Sequence, residues 1–275
     1  MSRLEKALRT TDPGFAELVR KIPLQGGPPL PPDWLRCEML ERHLVLRHAA
    51  RVSGFTILEV GSGGHAISTV PLAYAVGADG RVLAVERQRW DHFREIVAAS
   101  GLAPRIHPIA SDARRLPLRD GSVDLAVCVH GIRSLESEQN MVDVFREMLR
   151  VAPRIFLAES LPIASSEAQR AHLAMYNLRE EVFEAGSGRR DDLHYRPLSQ
   201  LTALVERAGG VVLSSRTVEI DLPHALAYFP RSLVERIPES DVRDSLLRRW
   251  DEADALRARY GTEHPPVAVI TAARG

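Results

Sequence analysis

Cysteine is scarce in this 275-residue chain. Cys37 and Cys128 are the only two, too few for a disulfide framework and without the CxxC spacing of a thiolate metal site. Net charge is missing as well. The 36 Lys plus Arg residues match 36 Asp plus Glu, so there is no basic footprint of the kind nucleic-acid binders carry, which argues against a nucleic-acid partner. Lysine itself occurs only at Lys6 and Lys21, with Arg supplying the other cations. No apolar run approaches the roughly 20 residues of a membrane-spanning helix, so no membrane span is expected. The charged start, Ser2-Arg3-Leu4-Glu5-Lys6, has no signal-peptide core, and the expected location is cytoplasmic. Internal repeats and low-complexity segments are also lacking.

The remainder, 45% hydrophobic and 26% charged, is ordinary globular material, long enough for one large α/β domain with appendages. Its organising stretch is Thr56-Ile57-Leu58-Glu59-Val60-Gly61-Ser62-Gly63-Gly64-His65. Ile57, Leu58 and Val60 suit a strand buried on both faces, and Gly61 and Gly63 permit a tight turn that lets backbone approach a ligand. Ala66 to Val76 reads as a helix. Its free N–H groups and positive dipole end are expected to face an anionic group over the turn. Gly61-x-Gly63-x-x-Ala66 with Glu86 also fits the dinucleotide fingerprint, which keeps an NAD-linked oxidoreductase as an alternative. Glu59 argues the other way: a carboxylate two residues before Gly61 repels a pyrophosphate but attracts an ammonium. S-adenosylmethionine carries such an ammonium beside a carboxylate.

Glu59 to His65 resembles motif I of the class I S-adenosylmethionine-dependent methyltransferases, Glu/Asp-x-Gly-x-Gly-x-Gly, with His65 in place of the last glycine. Leu116-Pro117-Leu118-Arg119-Asp120-Gly121-Ser122-Val123-Asp124 resembles the Leu-Pro-Phe-x-Asp-x-Ser-Phe-Asp segment of the branch that holds the ubiquinone and menaquinone biosynthesis C-methyltransferases. The resemblance covers roughly residues 55 to 220. It implies an α/β fold, a Rossmann-like doubly wound seven-stranded sheet of order 3-2-1-4-5-7-6 with an antiparallel last strand. It also implies S-adenosyl-L-methionine as cofactor, with Glu59, Gly61, Ser62 and Gly63 at the methionine end, Glu86 beside Arg87 at the ribose, and Asp112 with Ala113 at the adenine. No metal is expected. The nucleobase-gripping Asn/Asp-Pro-Pro-Tyr motif is absent after the fourth strand, which favours a small-molecule acceptor over RNA.

Along the chain, residues 1–35 form an arm in which Pro23, Gly26, Gly27, Pro28, Pro29, Pro31 and Pro32 are expected to prevent long regular structure. The methyltransferase domain then spans 36–275. Trp34 to Arg51 reads as a helix, with His43 and His48 as boundary histidines. Arg81 to Glu86 and Arg105 to Ala110 read as strands. Val123 to Val129 reads as the central strand, delivering His130 to the cleft mouth as a cofactor contact and base candidate. Arg154 to Ser160 is the fifth strand. A capping box, Ser166-x-x-Gln169, opens a helix to about Ala185 whose stripe His172, Tyr176, Arg179 and Phe183 faces one side. Arg133, Tyr176 and Arg179 are candidate substrate-binding residues. Gly186 to Asp192 reads as a polar loop, and His194 leads into a helix ending at Gly209-Gly210. Val211 to Asp221 and Pro265 to Ala273 read as the last two strands. Between them about residues 222–264 form a helical insertion, with a helix near Asp241 to Tyr260, compatible with a lid, a homodimer contact or a brace. The expected activity is in-line methyl transfer. The alternatives are RNA or protein methylation, NAD-linked oxidoreduction, and a catalytically silent S-adenosylmethionine-binding module.

Overall fold

A computed structural model describes residues 2–26, 30–49, 51–88, 90–135, 137–187, 195–224, 226 and 228–275. Three helices precede the sheet: α1 (Arg3–Thr10), α2 (Pro13–Lys21) and α3 (Trp34–Leu46). The chain then alternates through β1 (Thr56–Val60), α4 (Thr69–Ala75), β2 (Arg81–Glu86), α5 (Asp91–Ser100), β3 (Ile106–Ala110), β4 (Leu125–Val129), α6 (Glu138–Val151) and β5 (Arg154–Ser160). It finishes with α7 (Glu167–Ser187), α8 (Leu198–Arg207), β6 (Gly210–Val218), α9 (Ser232–Glu235), α10 (Ser240–Tyr260) and β7 (Val267–Arg274).

The arm differs from the sequence expectation, because α1 and α2 lie within it. Each is capped: Ser2 Oγ accepts the Glu5 N–H at 3.2 Å, and Asp12 Oδ1 accepts the Phe15 N–H at 2.9 Å with Pro13 in the first helical turn. The prolines that suggested irregular structure fall after α2 and leave both helices intact. Phe15, Val19 and Ile22 are fully buried, so this arm is part of the core. α7 runs through Ser187 and so takes in the first two residues of the loop expected over Gly186 to Asp192; the rest of that loop and His194 fall in 188–194, outside the described residues.

The sheet has the order β3-β2-β1-β4-β5-β7-β6. β1 to β5 are parallel, and β7 runs antiparallel between β5 and β6. This is the Rossmann-like methyltransferase arrangement. β4 is buried at every position, as its apolar run requires of a central strand. Successive residues serve opposite faces: Ile57 and Val127 pack with Leu35, Val70 and Phe93, whereas Leu58 and Ala126 pack with Phe145, Met148 and Leu201. Asp124 fixes the register below the site, its Oδ2 accepting the Thr56 N–H at 2.7 Å. The insertion builds a third core, in which Leu246, Trp250 and Ala253 of α10 and Phe229 meet Met175, Tyr176 and Val182 of α7. It therefore braces α7. Among the described residues no helix is long and apolar enough to cross a membrane.

Candidate active site

The parallel strands end on one edge of the sheet, and a cleft opens there among Gly61, Glu86, Arg87, Asp112, Ala113 and Gly131. Gly61 and Gly63 take φ of 74° and 65°, and Ala66 follows at 50°. This tight turn brings Gly61 against the β4 exit, where a Cβ would stand 3.5 Å from the Gly131 Cα. At Gly131 a Cβ would meet Cys128 Sγ at 2.9 Å and the Val60 carbonyl oxygen at 3.3 Å, so close approach demands glycine here. The helix read from Ala66 begins at Thr69, and three amides of the turn before it bond within the protein. Gly61 and Ser62 donate to the Val85 carbonyl at 3.0 and 3.1 Å, and Gly63 donates to Glu86 Oε2 at 3.2 Å. Ser62 is buried beneath the turn. His65 packs away between Trp34 and His92.

The acidic side chains read from the sequence occupy three environments. Glu86 ends β2 half-buried at the cleft, and its Oε1 accepts the Arg87 N–H at 2.7 Å; Arg87 is exposed at the rim. Asp112 lines the same cleft but is paired with Arg114, whose Nη2 lies 2.6 Å from Oδ2 and whose Nη1 reaches Asn140 at 3.1 Å. That pairing holds the Asp112 carboxyl near 2. Glu59 is fully buried and turned toward the start of α4, accepting from the Ser68 hydroxyl and, at 2.6 Å, from Thr69 Oγ1. Burial pushes its carboxyl up to about 7 against those hydrogen bonds.

His130 ends β4 with φ of 53°, a left-handed conformation that turns its ring below the cleft. The ring is clamped: Nε2 lies 3.1 Å from Glu41 Oε1 of α3, and Nδ1 lies 3.2 Å from Glu159 Oε1 of β5. Ser160 Oγ is 3.3 Å from Nδ1. Burial opposes the charge of Glu41, but Arg42 and His130 outweigh it and hold the carboxyl below the usual range. Glu159 is likewise held low, with Arg133 and His130 overcoming burial. Its Oε2 has no hydrogen-bond partner among the described residues.

Arg133, Tyr176 and Arg179 do come together. Arg133 Nη1 donates to Glu159 Oε1 at 3.2 Å, and its guanidinium lies 5.4 Å from the Tyr195 ring centroid. Tyr195 stacks on Tyr176 at 4.0 Å, and Arg179 covers the Tyr176 ring at 4.8 Å. Arg179 is also tied to Glu180 and to the Leu226 carbonyl. His172 of the same stripe bonds the Tyr195 hydroxyl at 3.1 Å, while Phe183 is exposed. The capping box is present in shifted form: Gln169 N–H donates to Ser166 Oγ, but Gln169 Oε1 accepts from Ser165 N–H.

Sequence reasoning missed Arg114 and Asn140 in the cleft, and Glu38, Glu41 and Arg42 beneath it. A signal for the last three was available. On α3 the charges at 38, 41 and 42 interleave with Cys37, Met39, Leu40, Val45 and Leu46, so no face is free of apolar residues and some charge must be buried. His224 and His264, also missed, carry no local pattern.

Sheet order and cleft together define a class, the Rossmann-like fold of class I methyltransferases. More particularly, residues 57–154 match the family model described as a methyltransferase domain. That match runs from the second residue of β1 to the first residue of β5 and contains every residue expected to contact a cofactor. Among solved structures, a cyclopropane-fatty-acyl-phospholipid synthase-like protein from Lactobacillus casei is similar at 16% identity and a TM-score of 0.72, over 98% of this chain and 99% of that one. A geranyl diphosphate methyltransferase in complex with SAM is similar at 15% identity and TM-score 0.54, over 91% and 93% of the two chains. The [4+2]-cyclase SpnF is similar at 16% identity and TM-score 0.55, over 98% and 93%. At these identities the likeness is one of fold. No curated protein matches the chain.

Proposed function

We propose that the protein is an S-adenosylmethionine-dependent methyltransferase that acts by in-line transfer on a small-molecule acceptor. The observation that carries this reading is the convergence of Gly61, Glu86, Asp112 and Ala113 on one cleft, within the segment matched by the methyltransferase-domain model. The lining of the cleft supports an adenosine: Glu86 has the length to accept ribose hydroxyls, and Asp112 lines the same space at the next strand tip. S-adenosylmethionine supplies a methyl group already activated by its sulfonium, leaving the protein to orient the acceptor and exclude water.

The chain's own residues divide accordingly. Gly61, Ser62 and Gly63 shape the methionine end, and Glu59 serves it by holding the first residues of α4 rather than through an exposed charge. Glu86, beside Arg87, takes the ribose, and Asp112 with Ala113 takes the adenine once Arg114 yields. Both His130 nitrogens face carboxylates, so any proton it accepts passes within the His130–Glu41–Glu159 unit. Glu159 Oε2, buried and without a partner among the described residues, is the atom assigned to a donor on the acceptor, which reaches it by parting the side chains that cover it. Arg133, Tyr176 and Arg179 form the aromatic and cationic wall around it. Their enclosure by α7 and the insertion supports a small acceptor over RNA or protein. A cytoplasmic protein and a homodimer belong to this proposal as well.

Membership of the C-methyltransferase branch draws no support from the segment that suggested it. Asp124 there ties β4 to β1, and Asp120 pairs with Arg150 at 2.7 Å, so these residues hold the sheet and do not select an acceptor. The test is calorimetry with S-adenosylmethionine, S-adenosylhomocysteine and NAD. Binding of the first two and not the third is expected. Binding of NAD alone overturns the reading, and turnover without consumption of S-adenosylmethionine overturns methyl transfer.

A further inference from the structure

Beneath the active site, α3 meets the two ends of the insertion. Pro223 and Glu263 form an isolated antiparallel bridge; next to it the His224 N–H donates to the Thr262 carbonyl at 3.1 Å and the His264 N–H to the Leu222 carbonyl at 3.2 Å. This short ribbon holds both imidazoles side by side, ring centroids 3.9 Å apart, over Glu38 of α3. Glu38, His224 and His264 are 1%, 3% and 0% exposed, and each offers a ligand atom within 4.8 Å of the others.

We propose that Glu38, His224 and His264 bind a divalent first-row transition ion, and that this ion pins the insertion to α3.

Three observations support it. First, neither ring nitrogen of His264 has a hydrogen-bond partner among the described residues, although the side chain is fully buried. A buried imidazole without a partner is costly, and Nε2 is directed at Glu38, lying 3.5 Å from Oε1. Ligand atoms around a tetrahedral ion with bonds of about 2.0–2.1 Å stand roughly 3.3 Å apart, so this spacing needs little change. The Glu38–His224 contact, at 2.5 Å, would open by about 0.8 Å to reach the same spacing. Second, the local charge favours a cation. Arg42 is shared between Glu38 and Glu41, and Arg133 serves Glu159, so Glu38 keeps part of one guanidinium and two imidazoles. Third, there is an approach, because a cavity lined by Asp33, Trp34, Cys37, Glu38 and Pro223 opens beside the carboxylate. Two imidazoles and one carboxylate are the donor set of Zn²⁺, Fe²⁺ and Co²⁺ rather than of Mg²⁺ or Ca²⁺. The site stands independently of the methyl-transfer reading.

The experiment strips the full-length protein with chelator and titrates it with Co²⁺, read by its visible d–d absorption, and with Zn²⁺, read by elemental analysis and thermal melting. Wild type is expected to bind about one equivalent of either ion, and Zn²⁺ at a hundredfold excess over Kd to raise its Tm by about 5–10 °C. Glu38→Gln and His264→Gln are expected to weaken binding at least about tenfold, since each removes one ligand from three. His264→Gln retains a polar side chain of similar size; if it does not fold, the wild-type titration decides alone. Absence of Co²⁺ absorption and of a Zn²⁺-dependent Tm shift in wild type overturns the site, as does unchanged affinity in both folded variants.

Discussion

Glu59→Gln tests how the glycine turn is built. In the folded chain the Glu59 carboxyl sits at about 7, against an ordinary 4.5. Below about pH 4.5 the group is protonated in both states. Between 4.5 and 7 the folded state keeps a proton that the unfolded state releases, so stability is lost as pH rises through that window. Above 7 the loss is complete, at about 3 kcal/mol, an upper figure for a buried group whose hydroxyl partners adjust. Glutamine has nearly the shape of the protonated carboxyl: its Oε1 accepts from one of Ser68 and Thr69 while its amide donates to the other hydroxyl. The variant does not titrate. Urea melts at pH 5 and pH 8 are therefore expected to show Glu59→Gln gaining about 2–3 kcal/mol on wild type between the two. Calorimetry with S-adenosylhomocysteine at pH 7.5 is expected to give affinities within about threefold, because the carboxylate acts through α4. A stability difference that is the same at both pH values refutes the buried-acid argument. A tenfold or greater loss of affinity, about 1.4 kcal/mol, refutes the indirect role and returns Glu59 to the ligand's ammonium.

Other substitutions address the rest of the cleft and the arm. Glu86→Ala and Asp112→Ala are each expected to weaken S-adenosylhomocysteine binding several-fold in calorimetry with little change in Tm; unchanged affinity in both removes the adenosine assignments. Gly131→Ala forces a methyl against Cys128 Sγ and should cost about 1–3 kcal/mol in urea melts, with Cys128→Ala in the same chain recovering part of it. For His43, stacked on Phe15 at 3.8 Å, burial lowers the imidazole to about 4. The unfolded chain thus takes up a proton between pH 6.5 and 4 that the folded chain does not, so wild-type stability should fall with acidification across that window, and less so in His43→Leu. Trp250→Ala empties the insertion's core and breaks the bond from Nε1 to the Phe229 carbonyl; a loss of about 3–5 kcal/mol is expected by urea melting.

What could be read from the sequence was local. β1, β2, β4 and β5 announce themselves as apolar runs ending in Gly61, Glu86, His130 and Glu159, and a parallel sheet puts all such ends on one edge. The meeting of Gly61, Glu86 and Asp112 in one cleft follows from that alone. Glu59 was legible as an acidic residue but not in its direction, since only the docking of Ser68 and Thr69 over β1 turns it inward. The same holds for Asp112, whose partner Arg114 lies two residues away yet depends on the turn between them. The arm misled because its prolines cluster at 23–32 and say nothing about the capped segments before them. The burial of charge on α3 was legible, but its partners were out of reach. Glu38 meets His224 across 186 positions, and no periodicity within α3 or the insertion encodes that meeting.

This division bears on chemistry. A fold shared with a [4+2]-cyclase does not choose a reaction, so the choice must lie where this chain departs from the common sheet. The half proposed to hold the cofactor is built from β1, β2, β3 and the turns at their tips, within the segment that matches the methyltransferase-domain model. The other half draws Glu41 from α3, His130 and Glu159 from two strand tips, Tyr176 from α7 and Tyr195 from the segment after it. Each member of that second group is buried, and each is held by another of the group or by Arg133. Such a set resists piecemeal change, because removing one partner leaves a buried charge or ring nitrogen unsatisfied. The acceptor is therefore expected to meet a wall whose unpartnered acceptor atom, Glu159 Oε2, lies beneath its surface, and its chemistry must supply the matching donor.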